Sequence, residues 1–134
     1  MKDVLKFSLP GKPEYVRVVK LAIGSIGETA GFSMEAIDDI KIAVAEACKN
    51  ITCHGFDGFS NVYEVECQSG DDEIIVTVSD KSCEHGLEKH IKPCLDCPNE
   101  GNLAIYVIKS LMDSVEVIKE KKGNRSIQMV KKNE

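Results

Sequence analysis

The chain has 134 residues, 43% of them apolar, and a formal net charge of −5. That length suits one domain over 1–134 with a real hydrophobic core, and the acidic balance argues against a direct nucleic-acid footprint. No apolar run approaches the ~20 residues that span a bilayer. The opening Met1-Lys2-Asp3-Val4-Leu5-Lys6 lacks a signal-peptide pattern, so a cytoplasmic protein with no membrane partner is expected.

Residues 3–9 alternate in polarity and predict a strand, which Pro10, Gly11 and Pro13 interrupt. Pro13 suits the first turn of a helix that runs to about Ala30, with Gly31 at its C-terminal end. Val16, Val19, Ile23, Ile26 and Ala30 give that helix a core stripe. Val18 and Leu21 lie off it beside Arg17, either as incidental exposure or as a second contact surface. Ser33 is a candidate N-cap for a second helix, and Glu35, Asp38 and Asp39 favour its positive end. Ile37, Ile40, Val44, Ala47, Cys48 and Ile51 then recur at three- and four-residue spacing down to a predicted end near Gly55. A loop is expected over 56–61. Tyr63, Val65 and Cys67 alternate with Glu64, Glu66 and Gln68, residues 70–72 read as a hairpin turn, and Ile74, Val76 and Val78 line a strand ending at Asp80. From about 81 to 100 periodicity vanishes, the pattern of a functional lid. Leu103, Val107, Ile108 and Leu111 predict a third helix opened by Gly101; Val115 and Val117 begin a strand, 121–124 turns, and Ile127 and Met129 mark the last strand. The sum is an α+β two-layer sandwich: a mixed, mostly antiparallel sheet with helices on one face.

Glu46, Asn50 and His54 are four residues apart, on a different face of the second helix from its apolar stripe. Such a row suits a solvated polar face. It also suits chemistry, because a carboxylate and an amide about 6 Å apart along the axis can share a task. The carboxylate can take a proton, and the amide oxygen can hold a hard cation such as Mg²⁺ beside a phosphate. A strand-end aspartate, Asp80, can accept a hydrogen bond from an exocyclic amine. A glycine at a helix start, Gly101, lets the backbone approach a phosphate that the helix dipole favours. Cys48, Cys53 and Cys67 read as small buried apolar residues. Cys83, His85, His90, Cys94 and Cys97 fall within the lid, where a Cys-x-x-Cys pair with histidines suits zinc, a reversible disulfide, or simply unremarkable thiols on a mobile loop.

At these residues the chain resembles the anti-sigma factor serine-protein kinases of the GHKL (Bergerat-fold) ATPase superfamily. Leu9 to Lys20 is similar to the family's first strand-helix junction. Ile37 to Asn50 (IDDIKIAVAEACKN) is similar to its N box. Glu100 to Val115 (EGNLAIYVIKSLMDSV) is similar to its second glycine box and the helix after it. The resemblance implies a protein that binds ATP and Mg²⁺, sequesters a sigma factor, and phosphorylates an antagonist protein on serine. It implies Glu46 as general base, Asn50 as the Mg²⁺ ligand, Asp80 as the reader of the adenine amino group, and Gly101, Asn102, Leu103 and Ala104 as the phosphate-facing turn. It also implies a homodimer, in keeping with Val18 and Leu21. Two departures stand out. Asp80-Lys81-Ser82-Cys83-Glu84 lacks the glycine usual two residues after the aspartate, and Asn102 and Ala104 occupy positions that are often glycine. They leave open a binding module of the same fold without kinase activity, with a metal- or redox-sensing lid.

Overall fold

The structure, a computed structural model, describes residues 3–53, 62–70, 72–80, 100–119 and 125–133; at 13, 50–53, 80, 100–104, 119 and 125 it describes the backbone alone. The elements follow the order β1 (Asp3–Pro10), a 3-10 turn (Pro13–Tyr15), α1 (Val16–Thr29), α2 (Met34–Cys53), β2 (Val62–Ser69), β3 (Glu73–Asp80), α3 (Glu100–Leu111), β4 (Ser114–Lys119) and β5 (Arg125–Lys132). The five strands form a sheet in the order β1-β2-β3-β5-β4. All four pairings are antiparallel, which narrows the mixed sheet expected from sequence. The path from β3 through α3 crosses over β5 to reach β4 at the edge.

Alternation decides which face of the sheet is covered. Tyr63, Val65 and Cys67 of β2, Ile74, Val76 and Val78 of β3, and Ile127 and Met129 of β5 are all buried. Their registers place them side by side, with Val65 opposite Val78 and Val78 opposite Ile127. The helices pack on this face, with α2 between α1 and α3. From α1 come Val19, Ile23 and Ile26, and from α2 come Ile37, Ile40, Ala43, Val44, Ala47 and Cys48. Each fully buried aliphatic side chain contributes on the order of 1.5–3 kcal/mol relative to exposure. The opposite face carries Glu64, Glu66, Thr77, Ser79, Ser126 and Gln128. It is knitted by Ser126 Oγ donating to Ser79 Oγ at 3.0 Å and a Lys6–Glu66 contact at 3.7 Å.

The ends of the helices follow from local chemistry. Gly31 has φ of 85°, a left-handed conformation that suits glycine. It closes α1 with Phe32 N–H donating to the Gly27 carbonyl at 3.0 Å and Gly31 N–H to that of Glu28 at 3.1 Å. That paired pattern satisfies the last carbonyls while Phe32 is buried beyond them. Ser33 is the N-cap expected from the sequence: its Oγ accepts from Ala36 N–H at 3.1 Å. The chain just before α1 forms a 3-10 turn rather than the start of one continuous helix, and α3 begins at Glu100, one residue ahead of Gly101.

Candidate functional site

The side chains flanking α2's core stripe fix which way its polar residues face. One flank meets α1, where a Cβ on Gly24 would stand 2.9 Å from Lys41 Cε. The other flank carries Asp39, Ala43, Glu46 and position 50, spaced so that they share one side of the helix. Asp39 shows what that side meets. Lys131 Nζ lies 3.4 Å from Asp39 Oδ2 and donates at 2.6 Å to the Leu111 carbonyl, at the C-terminal end of α3. Asp39 and the end of α3 are therefore level, and α3 runs back along α2. Its twelve residues cover about 18 Å, so its first turn comes level with the part of α2 near Glu46 and Asn50. Lys131 continues the inward phase of β5, and a lysine suits the partial negative charge at a helix C-terminus.

The sheet meets α2 at the same level. Cys48 and Tyr63 perturb each other: burial pushes the Cys48 thiol up to about 12, with the Tyr63 hydroxyl opposing part of the rise. Burial also raises the Tyr63 phenol, and Cys48 adds to that rise through its charge and a hydrogen bond between the two side chains. Tyr63 pairs with Asp80, the last residue of β3, in the register that makes Val78 and position 80 share the helix-covered face.

The expected site positions belong to α2 and to two elements that pack against it, β3 and α3. Glu46 is half-buried on α2, and Asn50 is one turn further along the same helix. Asp80 ends β3, and Gly101, Asn102, Leu103 and Ala104 follow Glu100 at the start of α3. Backbone N–H groups of a first helical turn have no acceptor within the helix, so they are available to an anion. His54 and the lid with Cys83, His85, His90, Cys94 and Cys97 lie outside the described residues. Among the described residues no group of three or more His, Cys, Asp or Glu side chains is placed to hold a metal.

A cleft of about 610 Å³ lies elsewhere, lined by Ser33, Glu35, Asp39, Asp113, Lys131 and Lys132 among others. It opens at the N-terminal end of α2. Ser33 is thirteen residues from Glu46, so about 20 Å of helix separates it from the positions above.

Among the described residues, a five-stranded antiparallel sheet covered on one face by three helices defines the class as a two-layer α+β sandwich. Residues 9–131 match the model of the histidine kinase-like ATPase domain. The chain is 33% identical over 125 residues to the serine-protein kinase RsbW of Bacillus licheniformis, a match covering 86% of this chain and 78% of that protein. It is 37% identical over 126 residues to the RsbW kinase of Listeria innocua, covering 87% and 80%. A crystal structure of the RsbU and RsbW domains of a Mycobacterium tuberculosis protein superposes with a TM-score of 0.68 at 16% identity. It covers 98% of this chain, which spans about a third (32%) of that longer one. The chain belongs to the histidine kinase-like ATPase family, among the RsbW serine-protein kinases.

Proposed function

We propose that this protein is an ATP-dependent serine-protein kinase of a sigma-factor switch in the cytoplasm. It binds Mg-ATP, holds a sigma factor, and transfers the γ-phosphoryl group to a serine of the sigma factor's antagonist. The observation that supports this reading best is the 33% and 37% identity to serine-protein kinases over most of a chain in which α2, the helix of Glu46 and Asn50, packs against both α3 and β3.

The donor set fits the group it would receive. Glu46 is half-buried, held by a helix that the core fixes on three sides. Its carboxylate accepts the proton of the antagonist's serine hydroxyl as the oxygen attacks phosphorus. Asn50 would hold Mg²⁺ through its amide oxygen, and the cation would neutralise charge on the ATP phosphates. Asp80 accepts a hydrogen bond from the adenine amino group. The N–H groups left free at the start of α3, Gly101 and Asn102 among them, would donate to phosphate oxygens, aided by the dipole of α3. Positions 102 and 104, often glycine in the family, lie within the right-handed helix α3, a backbone that Asn and Ala adopt without strain. Phosphoryl transfer needs positioning and charge neutralisation above all, so this small set suffices.

The homodimer belongs to the same proposal. Tyr15, Val18 and Leu21, three residues apart, form an apolar stripe on the outer side of the 3-10 turn and α1; Val18 is 46% exposed and Leu21 67%. Val4 on the edge strand β1 is exposed as well.

The decisive experiment follows label from [γ-³²P]ATP to a matched antagonist protein. Wild type is expected to label the antagonist's serine, and Glu46→Gln is expected to reduce the rate by at least about a hundredfold while still binding Mg-ATP. Wild type that binds nucleotide but transfers nothing would leave the inactive binding module as the reading.

A further inference from the structure

Along β5 the inward positions run Ile127, Met129, Lys131, so a lysine stands where alternation would continue the core. An ammonium at such a position is costly unless it finds acceptors. Lys131 finds two. Its Nζ donates at 2.6 Å to the carbonyl of Leu111, the last residue of α3, and lies 3.4 Å from Asp39 Oδ2 on α2, with 17% of the side chain exposed. The chain just after α3 is fastened to the same strand. Asp113 N–H donates to the Val130 carbonyl at 2.8 Å, and Lys132 N–H to Asp113 Oδ2 at 2.6 Å. Along α3 itself, Ile108 is buried, and Ile105 and Leu111 pack against the core. Apolar contact is non-directional, whereas a hydrogen bond to one chosen carbonyl has a direction. The lysine therefore fixes the rotation of α3 about its own axis as well as its height on α2.

We infer that Lys131 is a positioning residue for nucleotide: by holding the last carbonyl of α3 against Asp39 of α2, it sets the direction in which the start of α3 presents its free N–H groups to phosphate. The inference rests on the ATP-binding reading. Its physical basis is the stiffness of an α-helix. The twelve residues of α3 make about three turns, and a rotation imposed at one end of so short a rod reaches the other undiminished. A tilt that pivots at Leu111 grows along the ~18 Å back to Glu100. A displacement of about an ångström is enough to spoil a binding geometry, so a small misalignment at the start of α3 weakens its hold on phosphate. Adenine is assigned instead to Asp80 on β3, a strand whose place is set by its pairing with β2 and β5. The loss is therefore specific to the phosphate end of the ligand.

Lys131→Met tests this, because methionine keeps an unbranched apolar stem and removes the donors. Affinities are compared at a temperature where circular dichroism shows both proteins folded. The variant is expected to bind Mg-ATP about fivefold to twentyfold more weakly than wild type in calorimetry. It is expected to bind adenosine, which carries no phosphate, within about twofold of wild type in an NMR titration. A merely structural role would leave both affinities unchanged or lower them together. Mg-ATP affinity within about twofold of wild type would overturn the inference, as would an equal loss for the two ligands. Wild type that fails to bind Mg-ATP at all would remove the ATP reading, and the inference with it. If Lys131→Met does not fold, hydrogen exchange in the wild-type chain supplies the test. Coupling is reciprocal, so Mg-ATP should slow exchange of the Met112 and Asp113 amides, which donate to the Ile108 and Val130 carbonyls, by at least about threefold, and adenosine should not. Amides unmoved by Mg-ATP, or slowed equally by adenosine, overturn the inference.

Discussion

Ser33 and Cys48 show how single residues set local stability. Ser33 Oγ satisfies one of the four N–H groups left open at the start of α2. Ser33→Ala should cost about 1 kcal/mol in a urea melt, and Ser33→Gly only a few tenths. A loss below the error of the melt for the alanine variant would show that the cap contributes nothing. The buried thiols make a prediction about pH. Cys48 is raised from an ordinary 9.0 to about 12 and Cys67 to about 11, both by burial. The folded state therefore holds these protons more tightly than the unfolded chain does. Their contribution is fully present below about pH 9 and is lost as pH rises from there through 11 and 12. Urea melts should be flat in this respect up to about pH 9 and weaken above it. The double variant Cys48→Ala/Cys67→Ala should show a shallower decline than wild type. Identical declines in the two proteins would contradict the assignment.

At the scale of elements, α1 and α2 are held at close range by a missing side chain. A Cβ on Gly27 would stand 2.8 Å from Ile37 Cγ1, itself buried. Gly27→Ala gains up to about 1 kcal/mol in helix propensity but must push Ile37 out of a packed site, so a net loss of about 1–2 kcal/mol is expected in thermal or urea unfolding. A stabilised variant would mean the two helices part easily. The elements themselves were largely legible in the sequence, because local patterns encode them. The stripe from Ile37 to Cys48 is buried as its spacing predicts, Gly31 and Ser33 terminate their helices as their chemistry predicts, and the alternation in β2, β3 and β5 separates core from solvent. What was not legible depends on distant contacts. Nothing local to Ile127 or Met129 states that β5 inserts between β3 and β4. Nothing in Lys131 announces that an inward strand position ends in a lysine that ties Asp39 to the last turn of α3. The catalytic assignment of Glu46 and Asn50 came from family resemblance, because their spacing alone suits a solvated face equally well.

Across the whole molecule, the proposed nucleotide positions belong to α2, β3 and α3, whereas the exposed apolar stripe lies on α1. In the proposed dimer that arrangement would let a partner subunit bind without blocking the nucleotide. Leu21→Glu, at a side chain 67% exposed, should shift the protein from dimer to monomer in analytical ultracentrifugation while leaving its circular dichroism unchanged. A variant that stays dimeric would move the interface elsewhere. Among the described residues no helix is long and apolar enough to cross a membrane. The kinase reading stands or falls with nucleotide binding, and isothermal titration calorimetry with ATP tests it most directly. Wild type should bind one ATP per chain in a Mg²⁺-dependent manner, and Asn50→Ala should abolish the Mg²⁺ dependence. Absence of heat at millimolar Mg-ATP, or binding by wild type that is indifferent to Mg²⁺, would contradict it.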